Sequence, residues 1–271
     1  MESREVPDGT VLERERLADP EPGVQLWKIT YVSQGLKVKG YWAAPESREA
    51  LPPLVYCRGG IRSVGMVRIA RIVTLARRGY SVFAPFYRGN DGGEGREDFA
   101  GEDRFDLYNA IRLLRDLPQT RNDLPVLLIG FSRGAMMALL AAKECEGVGP
   151  VVVWGGVSDL LLTYEERVDL RRMLKRVVGH PRKDEEAYRQ RSPVCWADSI
   201  KSPVLIVHGS EDEHVGVEHA HRLAVALEAA GKPYALHVYQ GRGHVFPREE
   251  DEQVLDSIFE WAGRVWKSPV E

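Results

Sequence analysis

Short apolar runs alternate with longer amphipathic segments along most of this chain. Short runs rich in β-branched residues favour strands, and apolar residues spaced three or four positions apart favour helices. The predicted strands cover 24–32, 36–44, 54–57, 81–84, 126–129, 151–154, 204–207 and 234–239. The predicted helices cover 64–78, 103–117, 135–142, 159–178, 184–190, 217–230 and 249–266. This alternation predicts an α/β fold with a mostly parallel, twisted sheet of eight strands and helices on both of its faces.

The segments between these elements predict one domain over residues 1–271, without repeats or low-complexity tracts. Residues 1–23 are polar and rich in proline, so we expect a loosely held N-terminal arm. The turn at 33–35 joins the first two strands as an antiparallel hairpin. Residues 159–199 interrupt the alternation with charged helical segments, which predicts a small insertion that partly caps the sheet.

Composition and charge exclude several classes of protein. A net charge of −3 gives no reason to expect a nucleic-acid or anionic membrane partner. Three cysteines, without a C-x-x-C pair, predict neither a disulfide framework nor a zinc site. No secretory signal follows the charged N-terminus, and the longest apolar run, 135–142, is too short to span a bilayer. We therefore expect a cytoplasmic protein, either a monomer or a homodimer.

The segment Gly130-Phe131-Ser132-Arg133-Gly134 lies between a predicted strand and a predicted helix. In that context a G-x-S-x-G sequence indicates a nucleophilic serine on a sharp turn. Glycines at both ends let the strand and the helix approach closely. The helix N-terminus behind Ser132 offers backbone N–H groups to a developing oxyanion. The alternative is an ordinary strand-to-helix turn with a serine cap.

A nucleophilic serine needs a base and an acid, which we expect in loops at the carboxyl ends of parallel strands. Asp212 follows the strand 204–207, and His244 follows the strand 234–239. Together with Ser132 they give the chain order Ser, Asp, His that this type of fold uses. Glu211 and Glu213 are alternatives for the acid.

The other histidines have simpler interpretations. His208 is expected to order its loop by hydrogen bonding, and His214 either lines the pocket or is solvated. His219 and His221 lie two positions apart on a predicted helix and face different directions, so they are poor joint metal ligands. We expect no metal and no cofactor.

These motifs resemble the α/β-hydrolase fold, and more narrowly the catalytic domain of prolyl oligopeptidase-type serine peptidases and related esterases. The matching segments are, in chain order, Gly40-Tyr41, Tyr87-Arg88-Gly89, Gly130-Phe131-Ser132-Arg133-Gly134, Ser192-Pro193, His208-Gly209-Ser210-Glu211-Asp212 and Gly243-His244. They cover roughly residues 24–265. The resemblance implies a triad of Ser132, Asp212 and His244, with the spacing from His208 selecting Asp212 over its neighbours.

The resemblance also implies an oxyanion hole formed by the backbone N–H of Arg133 and a second donor after the third strand. The family commonly has His-Gly-Gly-Pro there, whereas this chain has Arg58-Gly59-Gly60-Ile61. Because the hole uses a backbone N–H, loss of the histidine side chain need not abolish it. We expect Gly60 to be the donor, with Gly59 as the alternative.

Several residues near these motifs are candidates for the pocket wall. They are Arg58, Tyr87, Arg88, Phe131, Tyr164, Trp196 and His214. Arg88 is either solvated or paired with Asp91 or Glu94, and Trp154 is expected in the core.

The sequence predicts a cofactor-free serine hydrolase that acts through an acyl-enzyme. Small carboxylic esters are the first expected substrates, and short peptides or amides are the second. The family's propeller and its anchor for a substrate's amino terminus are not visible in the sequence. We therefore rank a peptidase of the prolyl oligopeptidase family second, as the alternative to an esterase. Acyl transfer and a non-catalytic ligand-binding protein remain open.

Overall fold

Strands and helices alternate along residues 6–267, which are the residues that the computed structural model describes. The strands are β1 (Val11–Arg16), β2 (Val24–Ser33), β3 (Leu36–Pro45), β4 (Pro53–Cys57), β5 (Ser81–Pro85), β6 (Val126–Phe131), β7 (Val148–Trp154), β8 (Val204–Gly209) and β9 (Tyr234–Tyr239). The helices are α1 (Ile69–Ala76), α2 (Arg104–Arg115), α3 (Arg133–Glu144), α4 (Leu160–Glu166), α5 (Arg171–Val177), α6 (Glu185–Gln190), α7 (Glu218–Ala229) and α8 (Arg248–Lys267). The predicted α/β alternation is confirmed.

The chain divides into two compact units, Met1–Val126 and Leu127–Glu271. In the first unit the strand order is β1-β2-β3-β5-β4. The pairs β1–β2, β2–β3 and β3–β5 are antiparallel, and β5 pairs parallel with β4. The hairpin of β2 and β3 closes over Gln34 and Gly35, both at positive φ (49° and 73°). Such a two-residue turn matches the right-handed twist of its strands.

β1 is the strand that the sequence pattern did not predict, and it raises the predicted eight strands to nine within residues 6–267. It lies in the expected arm and pairs along β2 from Val11 opposite Tyr31 to Arg16 opposite Trp27. Its last four residues are charged and exposed, so it has no alternating apolar face to detect. Backbone hydrogen bonds to β2 hold it, and its charges suit a sheet edge.

The second unit has the strand order β6-β7-β8-β9, and β8 pairs parallel with both β7 and β9. β8 is buried along its whole length, as expected for a parallel strand covered on both faces. Parallel pairing places the carboxyl ends of these three strands at one edge. The loops that follow β8 and β9 therefore start from the same side of the sheet.

The predicted insertion is helical, with α4, α5, α6 and three short 3-10 helices between β7 and β8. The single helix predicted over 159–178 is wrong, because the chain breaks at Arg167 (φ −104°, ψ 78°). None of the helices within residues 6–267 combines the length and the apolar character needed to cross a lipid bilayer.

Candidate active site

The turn from β6 into α3 is sharp and strained at Ser132, which has φ 56° and ψ −121°. A non-glycine residue at positive φ is held only where its surroundings determine it. Here the Ser132 N–H donates to the Trp154 carbonyl (3.0 Å), and the Ser132 carbonyl accepts from Ala135 (3.1 Å). A Cβ on Gly130 would approach the Gly134 carbonyl oxygen to 2.5 Å, so this turn requires glycine there. The backbone thus presents one serine at the start of a buried helix.

Asp212 and His244 form a short hydrogen bond, with 2.7 Å between Oδ2 and Nδ1. The other carboxylate oxygen, Oδ1, accepts the backbone N–H groups of His214 (2.8 Å) and Val215 (2.9 Å). Burial alone would raise the pKa of Asp212, but His244 and these two donors lower it below its ordinary value. An ionised carboxylate accepts Nδ1–H and leaves Nε2 of His244 able to accept a proton.

Phe131 and Gly155 connect the serine turn with the Asp–His pair. The Phe131 ring lies 4.7 Å from the imidazole of His244. Gly155 has φ 51° and follows Trp154, whose carbonyl accepts the Ser132 N–H. A Cβ added to Gly155 would lie 3.1 Å from His244 Nδ1 and 3.3 Å from Asp212 Oδ2. The structure therefore brings the segments of all three predicted triad residues together within the second unit.

Two histidines contact Asp212, and their surroundings distinguish them. His208 is fully buried and donates Nε2–H to the Val215 carbonyl (2.8 Å), while the same nitrogen lies 3.5 Å from Asp212 Oδ2. Desolvation by burial lowers the pKa of His208, so the ring stays neutral. The side chain of His244 is 11% exposed and can face a substrate. Only His244 has the access that a general base needs.

Arg58 and Tyr87, two candidates for the pocket wall, are buried inside the first unit. The Arg58 guanidinium pairs with Glu97, donates to the Phe86 carbonyl (2.8 Å) and lies 5.2 Å from the centroid of the Tyr87 ring. Neither side chain therefore lines an open pocket. Arg58 supports the loop that contains Gly60, which has φ 65°.

Arg88 is neither solvated nor paired with Asp91 or Glu94, which were the two alternatives, because it pairs with Asp106. Asp106 lies in the first turn of α2 and accepts from Nη2 of Arg88 at 2.8 Å. Asp91 pairs instead with Lys28. Arg88 also lines a cavity of about 850 Å³ in the first unit.

The remaining candidates lie in the second unit. The His214 ring stacks on His244, with centroids 5.1 Å apart and planes inclined by 10°. Tyr164 and Trp196 lie in the insertion. The guanidinium carbon of Arg171 lies 5.2 Å from the centroid of the Tyr164 ring, and Nζ of Lys143, on α3, lies 4.8 Å from the centroid of the Trp196 ring. His214 and Phe131 are thus the candidates whose rings contact the imidazole of His244.

The sequence analysis did not identify every residue of this site. Gly155 was one, although a Gly-Gly pair directly after a buried strand is a recognisable signal of close backbone approach. Arg133, predicted for its backbone N–H, also has a side chain that is 1% exposed. Trp154 packs edge-to-face on Phe246 (5.5 Å) in the core. Within residues 6–267 no group of three or more His, Cys, Asp or Glu side chains is arranged to hold a metal ion.

Comparisons with known proteins show the family of this chain. Residues 66–268 match the prolyl oligopeptidase family. The uncharacterised peptidase YtmA of Bacillus subtilis (strain 168) is 46% identical over 253 residues, which are 93% of this chain and 98% of YtmA.

Solved structures show the same fold. An acylaminoacyl peptidase of Pyrococcus horikoshii aligns with a TM-score of 0.77 at 22% identity, over 97% of this chain and 43% of that chain. A puromycin-hydrolysing peptidase of Mycobacterium tuberculosis aligns with a TM-score of 0.76 at 25% identity, over 95% of this chain and 39% of that chain. The chain thus spans nearly all of YtmA and less than half of each solved peptidase. With the α/β-hydrolase fold, the family match and the identity to YtmA in agreement, the chain belongs to the prolyl oligopeptidase family of serine hydrolases.

Proposed function

We propose that this protein hydrolyses small carboxylic esters and short peptides or amides through an acyl-enzyme on Ser132. The observation that carries this proposal is the 2.7 Å hydrogen bond between Asp212 and His244 beside the strained serine turn. A serine hydroxyl needs such a base, oriented by such an acid, to become a nucleophile.

In the proposed mechanism Ser132 Oγ attacks the substrate carbonyl while His244 Nε2 accepts the hydroxyl proton. Asp212 keeps the imidazole in the tautomer with Nδ1 protonated and stabilises the imidazolium that forms. His244 then protonates the leaving alkoxide or amine. Water repeats the sequence on the acyl-enzyme, with His244 as base, and releases the carboxylic acid and free Ser132.

The negative charge on the carbonyl oxygen requires preorganised donors. We assign the first to the backbone N–H of Arg133, the first residue of α3, where a helix N-terminus favours negative charge. Following the family pattern, we assign the second to Gly60, with Gly59 as the alternative.

Esters and peptides differ in what they demand of this site. An ester has the better leaving group, so small activated esters need less stabilisation of the leaving group than peptides do. Peptide hydrolysis is the second candidate, and it is favoured by the near full-length similarity to YtmA, which is named a peptidase. The ratio of ester to anilide turnover measures this preference.

The test combines fluorophosphonate labelling with hydrolysis of a p-nitrophenyl ester of a short acid and of an aminoacyl p-nitroanilide. We expect Ser132→Ala to abolish labelling and to lower kcat by roughly 10⁴-fold or more. Ser257→Ala is the matched control, because Ser257 is exposed on α8 and the one hydrogen bond of its hydroxyl within residues 6–267 is to the Gln253 carbonyl (3.1 Å).

Labelling that persists in Ser132→Ala would contradict the assignment of the nucleophile. A wild-type protein that neither labels nor hydrolyses any substrate would favour a ligand-binding function. Product analysis with an added alcohol or amine distinguishes hydrolysis from acyl transfer.

A further inference from the structure

The turn that carries Asp212, residues 212–216 and here named the acid turn, is held by hydrogen bonds to several of its peptide groups. Asp212 Oδ1 accepts the N–H groups of His214 and Val215. His208 donates to the Val215 carbonyl at 2.8 Å. These contacts come from the acid turn itself and from β8, which ends just before it. The His214 carbonyl and the Gly216 N–H have partners from another segment.

Both of these groups are bound by the end of α4, in the helical insertion. Arg167 donates from Nη1 to the His214 carbonyl at 2.9 Å. Glu166 accepts the Gly216 N–H through Oε2 at 3.3 Å. The fit is close, because a Cβ on Gly216 would lie 2.7 Å from Oε1 of Glu166. Two neighbouring side chains of the insertion thus contact two neighbouring peptide groups of the acid turn.

Arg167 is itself fixed before it reaches the acid turn. Its guanidinium makes a two-point contact with Asp169, with distances of 2.9 Å from Nε and 2.7 Å from Nη2. A planar guanidinium held at two points loses little further freedom when Nη1 binds a carbonyl.

Glu166 lies beside a buried histidine. Nδ1 of His219 accepts backbone N–H groups from Ser158 (3.2 Å) and Asp159 (3.3 Å), so the ring proton is on Nε2. This Nε2 lies 3.6 Å from Oε2 of Glu166. The nearby imidazole of His219 lowers the pKa of Glu166, which keeps the carboxylate ionised as an acceptor.

Two contacts join the acid turn to His244. Asp212 binds Nδ1 of His244, and the His214 ring stacks on the same imidazole at 5.1 Å. We propose that Glu166 and Arg167 are positioning residues for catalysis, because they hold the acid turn, and with it Asp212 and His214, in place against His244. This inference rests on the proposed function of the triad.

The proposal predicts a change in kcat with little change in KM. We expect Glu166→Ala and Arg167→Ala each to lower kcat about fivefold, the effect of one lost hydrogen bond. Glu166→Gln keeps an acceptor for the Gly216 N–H and should recover most of that loss. Glu165→Ala and Arg172→Ala are matched controls on the same insertion, since both side chains are exposed and make no hydrogen bond or ion pair within residues 6–267.

Amide hydrogen exchange of the acid turn, measured by mass spectrometry on the full chain, gives a readout that does not depend on activity. We expect faster exchange in the peptide covering residues 212–216 for both alanine variants and wild-type exchange for both controls. Unchanged kcat and unchanged exchange in both alanine variants would overturn the proposal, as would equal losses in the controls.

The experiment also separates this proposal from the proposed function. If wild-type turnover depends on Ser132 while the Glu166 and Arg167 variants match it, the positioning proposal alone fails. If the wild type has no Ser132-dependent turnover, the proposed function and the catalytic role of both residues fail together. Exchange then decides whether the two side chains order the acid turn.

Discussion

The buried ion pair between Arg88 and Asp106 makes a strong prediction about stability. Asp106 has no exposed side-chain surface, and the Arg88 side chain is 6% exposed. The carboxylate accepts from Nη2 (2.8 Å) and from the backbone N–H (2.7 Å) of Arg88, and from the hydroxyl of Ser33 (2.7 Å). Nη2 also donates to Gln34 (2.8 Å). The pair therefore joins the β2–β3 hairpin, the turn after β5 and α2.

Removing one member leaves the other charged, buried and without its partner. We expect Arg88→Met and Asp106→Asn each to lower the free energy of unfolding by about 3–5 kcal/mol. The double variant buries no charge, and its asparagine still offers an oxygen to Ser33 and to the backbone N–H at position 88. Its loss should therefore fall short of the sum of the single losses by about 1–3 kcal/mol.

The assay is urea unfolding of the four proteins, followed by tryptophan fluorescence and far-ultraviolet circular dichroism. Asp123→Asn is the matched control, because Asp123 and its partner Arg121 are both exposed and water screens their attraction. Its unfolding midpoint should stay at the wild-type value. Additive losses in the double variant would refute the reasoning, because they would show that the two side chains contribute independently.

Two further predictions concern the Asp–His pair. Gly155→Ala should cost about 1–2 kcal/mol of stability for its positive φ and should also lower kcat, because the new methyl would contact His244. Gly231→Ala has the same backbone strain (φ 65°) but open space around it, so it should leave kcat unchanged, and equal kcat losses would contradict this explanation. The lowered pKa of Asp212 means that its ionised form stabilises the fold above about pH 4 and loses this effect as the pH falls further. The difference in melting temperature between wild type and Asp212→Asn should therefore shrink in acid, and a gap that widens below pH 4 would contradict the sign.

Features set by short-range patterns were predictable from the sequence. The hairpin turn needed only Gln34-Gly35 between two β-rich runs, and the serine turn needed only glycines on both sides of Ser132. Asp212 and His244 could be proposed as acid and base because each lies in the loop after a predicted strand, β8 for Asp212 and β9 for His244. Parallel pairing of β8 with β9 then brings these loops to one edge without any further information.

Features set by contacts between distant residues were not predictable in the same way. Asp91 was a reasonable partner for Arg88 because it is near in sequence, but α2 places Asp106 closer. The helix predicted from residue 64 begins at Ile69, because Gly65 (φ 70°) belongs to a tight turn before it. The contacts of α4 with the acid turn join residues about fifty positions apart, and no periodicity records them.

The replacement of the family's histidine by Arg58 has a physical explanation in the first unit. Nη1 of Arg58 donates to the carbonyls of Gly59 (2.9 Å) and Val64 (3.3 Å), so one guanidinium fixes both ends of the loop between them. Inside that loop Gly60 has φ 65°, and a Cβ there would lie 2.2 Å from the Val64 oxygen. The burial of Arg58 is balanced by Glu97, to which it is paired. The conformation of Gly60 therefore depends on a buried cation at position 58, and the oxyanion role assigned to its N–H does not require an imidazole there.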